Sequence, residues 1–449
     1  MRLAPSADDL LFARTTRELL AAHCTPAEVR AGFSRDRWQA LAAVGATALF
    51  VPEAHGGLGL GDQGLGAQSL VALAEEAGRA CLPEPLIEAA VAAVLLAARQ
   101  GPPAPAPSRD GDALLRGLAD GAVTVAVSLP VDRPAGAPGP DGAVVAHAAY
   151  ADHVLVLADD GVLTDWARDG GQDPHPSPDP QPHLDLNPRP DPHPDPRPDL
   201  DPHPSPDPQP HLDLNPRPDP HPDPRPDLDP DPRPDLDPDP RPDLDPDPDP
   251  RPHPDPAPRP VVAGVDPGRA LGRVRAGGER KPVVLGRGWG PVGERAGRLG
   301  AVAAAADLLG AAAAMLERTV EYARQRVQFG RPIGSQQAVK HQLADVLLAL
   351  EFARPVVARA AYSYDLGLPG QARDAAMAKV FATEAAQTAA RTCLQVHGAI
   401  GYTDECDLSL WLRRVWALSA AWGDAAHHRA VVAADLLAPT GPSPSCPTR

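Results

Sequence analysis

The 449-residue chain has no closely spaced cysteine pair, no excess of basic residues and no uninterrupted apolar run of bilayer length. Its five cysteines, Cys24, Cys81, Cys393, Cys406 and Cys446, lie far apart. That spacing excludes a zinc ribbon, and that density excludes a disulfide scaffold. Lys and Arg number 42 against 59 Asp and Glu, a formal net charge of −17. A nucleic-acid-binding face needs clustered cations to neutralise phosphates, so that class is excluded too. The longest uncharged apolar run, Ala89 to Ala98, is about half of a bilayer span. The longer run Ala301–Leu316 is interrupted by Asp307. Asp8 and Asp9 stand where a secretory signal needs an apolar core. These absences predict a soluble, reduced, cytoplasmic protein that binds neither nucleic acid nor membrane.

What is present is unevenly spread. Residues 171–260 hold 36 of the 59 prolines, and with 22 Asp against 8 Arg they carry −14 of the net −17. The remainder is close to neutral and rich in Ala, Leu and Val. Within the tract, residues 175–202 recur letter for letter as 203–230, and three copies of DPRPDLDP fill 223–246. Proline at nearly every second position removes backbone donors and pushes each preceding residue out of the α region. The tract, taken as 171–259, therefore reads as an extended insertion of polyproline-II character. Its alternating His and Asp raise metal binding as an alternative, but such a segment has no preorganised ligand geometry.

Apolar residues three and four apart in 9–22, 36–44, 68–80 and 86–99 predict an N-terminal helical domain over residues 1–118. The β-branched runs 122–130, 143–158, 261–265 and 281–286 predict a small β domain in two parts, 119–170 and 260–295, interrupted by the tract. Gly59-Leu60-Gly61-Asp62-Gln63-Gly64 matches GxGxxG, with Glu84 twenty residues on. A dinucleotide fold needs a strand running into the first glycine and a second parallel strand after the helix. Pro52 and a polar stretch precede Gly59, and Pro83 and Pro85 follow the helix, so a loop between helices is the better reading. Further on, apolar stripes over Leu299–Arg324, 336–364 and 371–397, and a helix starting near Leu408, predict a four-helix bundle over 296–438. Residues 439–449 read as a flexible tail. The predicted fold is mainly α with a small central β domain.

Two segments carry a resemblance. Arg326-Val-Gln-Phe-Gly-Arg-Pro-Ile-Gly-Ser-Gln-Gln337, followed by Leu343-Ala-Asp345, resembles the RxxFGxxxxxxQ…LAD segment of acyl-CoA dehydrogenases. Gln395-Val-His-Gly-Ala-Ile-Gly401-Tyr402 resembles that family's QxxGGxGY segment, and Trp38 to Gly57 resembles its N-terminal helical domain. The resemblance implies an acyl-CoA dehydrogenase-like fold, FAD as cofactor, and α,β-dehydrogenation of an acyl-CoA thioester. It further implies an electron acceptor such as an electron-transfer flavoprotein, and a homo-oligomer or a heteromer with a homologous subunit. Residue by residue it places Arg326 at the FAD pyrophosphate, where a guanidinium offers paired donors. It places Phe329 and Gln337 against the adenosine end, and Gln395, Val396, His397, Gly398 and Ala399 at a partner subunit's cofactor. Each also has a bland reading: Arg326 a solvated helix end, Phe329 a core aromatic, Gln395 a surface amide. The family's Thr-Glu-Pro-like turn at the flavin ring is matched only by Ser128-Leu129-Pro130, with the acid lost.

The implied chemistry needs a carboxylate at the substrate α carbon, in a water-poor pocket that raises its basicity. In the family pattern this is a Glu-Gly pair on the loop after the fourth helix's arginine. Aligned on that pattern, Gly423 takes the Glu position and Asp424 follows it. Asp424 is the candidate base, but an Asp after Gly is equally an ordinary helix N-cap, here before Ala425–His428. Glu317 and Glu321 stand near the family's other base position and read as exposed partners of nearby arginines. The alternatives to a complete dehydrogenase are a non-catalytic or half-site FAD-binding subunit of a heteromer, and a helical scaffold without cofactor.

Overall fold

A computed structural model of the chain describes residues 6–61, 66–98, 109–132, 143–167, 261–274 and 283–437. The Pro/Asp tract, the C-terminal tail and Gly64 of the glycine motif lie outside these. The N-terminal part is helical: α1 (Ala7–His23), α2 (Pro26–Ala31), α3 (Arg35–Ala43), α4 (Gly66–Ala80), α5 (Leu86–Ala97) and α6 (Arg109–Ala119). Its starts are set by side-chain caps. Ser6 with Asp9, and Thr25 with Glu28, form capping boxes, and Ser34 accepts from Arg37 N. The described part of the glycine motif is a loop folded back on the core, with Gly59 N donating to Val51 O and Leu60 N to Leu49 O.

The β domain follows, with β1 (Val125–Ser128), β2 (Val144–Val145), β3 (His153–Leu157) and β4 (Leu163–Ala167) before the tract. After it come β5 (Val261–Val262), β6 (Leu271–Arg273) and β7 (Val283–Gly286). One sheet runs β1-β3-β4-β7 and a second β2-β6-β5. The β2–β6 and β4–β7 ladders pair strands from opposite sides of the tract. The predicted strand 143–158 is in fact two strands separated by a turn, in which His147 adopts left-handed φ of 62°. Strands β4 and β6 went unpredicted.

The C-terminal part consists of α7 (Gly290–Gln325), the hairpin β8 (Val327–Gln328) and β9 (Arg331–Pro332), α8 (Gln337–Asp365), α9 (Gln371–His397), α10 (Leu408–Ala420) and α11 (Ala425–Leu437). The predicted four helices thus become five, because the loop after α10 starts a further helix. At 36 residues α7 packs against α4, α5, α8, α9 and α10, and its apolar stretch, long enough to cross a membrane by length and composition, is buried inside the fold. Its alanine face lets neighbours approach closely. Where α4 crosses α7, a Cβ on Gly78 would lie 1.9 Å from Asp307 O and one on Gly310 1.8 Å from Glu75 O. Only glycine fits either position.

Candidate functional site

The residues implicated by sequence fall into two groups at opposite ends of α7. At its C-terminal end Arg326 caps the helix through its N–H to Tyr322 O and leads into the β8–β9 hairpin. Phe329 (φ 52°) and Gly330 (φ 75°) are the two turn residues, and positive φ at both gives the twist a two-residue hairpin requires. That turn thrusts Phe329 outward, 94% exposed, so it is not a core aromatic. Gln337, exposed, opens α8.

The second glycine segment arrives at the same place. The His397 ring stacks on Tyr322, with centroids 4.3 Å apart and planes 18° from parallel, tying the end of α9 to the end of α7. Its Nδ1 is 2.8 Å from Cys393 O, and burial lowers its pKa, which keeps the ring neutral. Gly398 (φ 71°) turns the chain into the 3-10 turn Gly398–Tyr402. Gln395, Gly398 and Ala399 are exposed here, while Val396 and His397 are half-buried. The result is a surface on which the Arg326 guanidinium, the Gln337 and Gln395 amides and the exposed apolar groups of Val327, Phe329, Ile400 and Tyr402 share one end of the bundle. An extended guanidinium for phosphate, amides for polar edges and an apolar ring for a base plane form a donor set that fits FAD.

Ser128 and Asp424 lie elsewhere. Ser128 ends β1, buried, opposite Val156 of β3. The residues after it touch α7 near its start: a Cβ on Gly297 would meet Leu129 at 3.5 Å and Val131 at 4.0 Å. The α10–α11 loop joins them, since a Cβ on Gly423 would meet Val131 at 3.2 Å. From Gly297 to Arg326 the helix rises roughly 40 Å at 1.5 Å per residue. One chain therefore does not bring Ser128 and Arg326 to a single cofactor.

The placement of Asp424 differs from the expectation of a buried base. Its side chain is exposed and accepts the His427 N–H at 2.8 Å, capping α11. That backbone bond holds its carboxyl below the usual range, the opposite of the raised basicity the chemistry asks for. The inward residue of the loop is Trp422, 2% exposed at φ 58°, followed by Gly423 at φ 89°. Its ring lies on α7, where a Cβ on Gly300 would stand 2.3 Å from it. Two buried side chains fix the loop. Lys379 Nζ donates to Gly423 O at 3.1 Å and Ser419 O at 3.3 Å. His428 Nε2 lies 2.9 Å from Trp422 O; burial pushes its pKa down to about 4, so the neutral ring donates to that carbonyl. Glu317 pairs with Arg79 at 2.5 Å and Glu321 accepts from Gln325, both at the surface.

Gly300, Lys379, Trp422 and His428 were not among the sequence candidates. One signal was available: Lys379 interrupts the alanine stripe Ala375, Ala378, Ala382 of α9. A lysine on an apolar face must reach either solvent or a set of carbonyls.

Residues 286–437 match the family model of the acyl-CoA dehydrogenase C-terminal domain, and residues 6–101 that of the acyl-CoA dehydrogenase N-terminal domain. Acyl-CoA dehydrogenase IpdE2 of Mycobacterium tuberculosis is 28% identical over 421 residues, spanning 92% of this chain and 92% of that protein. Probable acyl-CoA dehydrogenase YngJ of Bacillus subtilis is 37% identical over 138 residues, 31% of this chain and 36% of its own. Among solved structures, butyryl-CoA dehydrogenase from Megasphaera elsdenii superposes with a TM-score of 0.65 at 17% identity, covering 97% of this chain and 100% of that one. A chain of the ChsE4-ChsE5 complex from Mycobacterium tuberculosis gives 0.64 at 20% identity, covering 98% and 100%. At such identities the likeness is one of fold.

Proposed function

Because the chain belongs to the acyl-CoA dehydrogenase family of flavin-dependent oxidoreductases, we propose that it removes hydrogen from the α and β carbons of an acyl-CoA thioester, with FAD as acceptor. FAD, when bound, supplies the acceptor for the hydride leaving the β carbon. The observation that carries the reading is the convergence of Arg326, Phe329, Gln337 and Gln395–Ala399 at one end of the bundle, where the unlinked segments 326–337 and 395–402 are joined by the Tyr322–His397 stack. Arg326 is assigned to the pyrophosphate, Phe329 and Gln337 to the adenosine end, and the backbone of Gly398 and Ala399 to the same cofactor.

The other half of the site is formed by Ser128–Val131, the start of α7 and the α10–α11 loop. Ser128, at the end of β1, is assigned to the flavin ring. Since about 40 Å of helix separates the two halves, each cofactor takes one half from each of two chains, so the working form is a homo-oligomer or a heteromer with a homologous subunit. Electrons then pass to an acceptor such as an electron-transfer flavoprotein. A reducing cytoplasmic setting accords with four unpaired cysteines among the described residues. Trp422 excludes water from the inner face of the loop. Asp424 reaches an α proton only if the loop turns over, which breaks its cap bond to His427 N.

The test is the visible spectrum of the purified chain, followed by anaerobic addition of acyl-CoAs. A bound flavin that bleaches supports the reading. A colourless protein that takes up no FAD overturns it. Flavin that stays oxidised until a homologous subunit is added replaces it with the half-site alternative.

A further inference from the structure

Where the N-terminal helices, the β domain and the bundle meet, the interior is charged. Arg37 Nε binds Glu84 Oε2 at 2.7 Å, Arg414 Nε binds Asp266 Oδ2 at 2.5 Å, and Arg269 Nη2 lies 3.3 Å from Glu88 Oε1. All six side chains are buried. Each guanidinium thus has its own carboxylate. Asp307 of α7 is a fourth buried acid with no cation of its own, since Arg414 Nη1 is 3.7 Å away and already committed. Its other oxygen, Oδ1, has no hydrogen-bond partner.

A cavity of about 20 Å³ lies against Asp307, Arg414, Arg269, Glu88 and His147. That is room for one water, which needs at least two polar partners. The His147 tautomer follows from its neighbours. The single Tyr150 hydroxyl proton is given to Pro83 O at 2.7 Å, so the hydroxyl oxygen accepts from His147 Nδ1–H. Nε2 is then an acceptor, 3.7 Å from the Glu88 carboxylate, itself an acceptor. Two acceptors facing one another across a cavity require a donor between them. His147 holds this position in a left-handed conformation that costs a β-carbon-bearing residue about 1 kcal/mol or more.

We propose that this cavity is a buried proton-binding site, in which one internal water joins Asp307 Oδ1 to His147 Nε2 and Asp307 is the acid that takes up the proton. Among the acids facing one another here, Asp307 is the one without a guanidinium of its own. From α10 comes Arg414; from the turn before β6, Asp266 and Arg269; from α5, Glu88; from the segment after α4, Cys81 and Glu84. Glu84, Glu88 and Asp266 each hold a guanidinium, and burial pushes the Cys81 thiol up to about 12, so it stays neutral. His147 is driven well below its ordinary value by burial and by Arg269 and Arg414, and cannot supply a compensating charge. From the crossing α4, Gly78 approaches the Asp307 backbone and Ala77 lines the cavity, neither of them titratable. Burial raises the Asp307 carboxyl to about 6 against the pull of Arg414 and Arg269. Uptake of one proton there brings the cluster to charge balance at the joint of the three parts of the fold.

The test is carbon NMR of the full, flavin-loaded chain carrying labelled aspartate carboxyls, titrated through the mildly acidic range. One aspartate signal should titrate near pH 6, raised from its ordinary 3.8, and it should vanish in Asp307→Asn. A second measurement stands without the variant: a crystal structure at high resolution should show one water bonded to Asp307 Oδ1 and His147 Nε2. A titration in which no aspartate signal titrates near pH 6, one in which that signal persists in Asp307→Asn, or an empty cavity overturns the proposal.

Discussion

Replacing Gly300 by alanine sets two effects of known size against each other. In a helix interior the change gains about 1 kcal/mol of propensity. At this position the new methyl would stand 2.3, 2.6 and 2.7 Å from the Cε3, Cζ3 and Cδ2 atoms of Trp422, well inside contact distance. The ring has nowhere to go: it is 2% exposed, and its loop is pinned by Lys379 through Ser419 O and Gly423 O and by His428 through Trp422 O. Overpacking of a fixed core typically costs about 1–3 kcal/mol. The clash outweighs the propensity gain, and Gly300→Ala should destabilise by about 1 kcal/mol net, read as a lower denaturant midpoint at unchanged slope. In a Trp422→Ala background, itself costing about 3–5 kcal/mol, the same Gly300→Ala change should instead stabilise by about 1 kcal/mol. The coupling between the two sites is the measured quantity. Equal effects of Gly300→Ala in both backgrounds would refute the placement of Trp422 against α7, and with it the account of the loop.

Arg326→Ala should lower FAD retention by roughly 10- to 150-fold, about 1.5–3 kcal/mol for a lost charged hydrogen-bond partner; unchanged flavin content after dialysis would count against the pyrophosphate assignment. Asp424→Asn should leave stability nearly unchanged while Asp424→Ala costs about 1 kcal/mol, since asparagine caps as well as aspartate. If Asp424 were the base, its asparagine variant would bind acyl-CoA yet fail to reduce flavin. The His428 ring is neutral in the fold with its pKa pushed from 6.5 to about 4, so the unfolded chain binds the extra proton. Stability from this residue is therefore full above about pH 6.5 and lost as pH falls towards 4, and His428→Asn should flatten that part of the midpoint-versus-pH curve.

The C-terminal helices were legible because they are long. In α8 the buried Leu343, Val346, Leu350 and Val357 repeat every three, four or seven residues, and such a stripe has one interpretation. The β domain was legible where β-branched residues cluster, at β1, β2, β3, β5 and β7, and was missed at β4 and β6. Strands β2 and β5 have two residues each and β6 three, too few for alternation to register, and they exist because β6 pairs with β2 across the tract and with β5 on its own side. The loop after α10 failed for a different reason. Sequence register put Gly423 and Asp424 at the reacting position, but two consecutive left-handed residues, Trp422 and Gly423, rotate the chain so that the indole goes in and the carboxylate goes out. Nothing local dictates that turn. It depends on an ammonium from α9 and an imidazole from α11, brought together only by tertiary packing.

The same dependence bears on why the residues proposed to hold the cofactor lie so exposed. Phe329, Tyr402, Val327 and Ile400 present large apolar surface at one end of the bundle, 94%, 69%, 53% and 44% exposed. Folding of one chain does nothing to bury these groups, and at about 25 cal/mol per Å² of apolar surface their exposure forgoes several kcal/mol. The hairpin turn that lifts Phe329 away from the fold suits Gly330 but holds Phe329 at a positive φ that a bulky side chain adopts only at a cost. Apolar groups held out by a dedicated turn, beside an arginine with no ion pair among the described residues, form a surface built to be covered. Since Ser128 and the inner face of the α10–α11 loop lie roughly 40 Å away along α7, on the proposed reading a cofactor seated mostly in another subunit covers it. The length of one alanine-rich helix thus separates the two proposed halves of the site, and on that reading association brings them together.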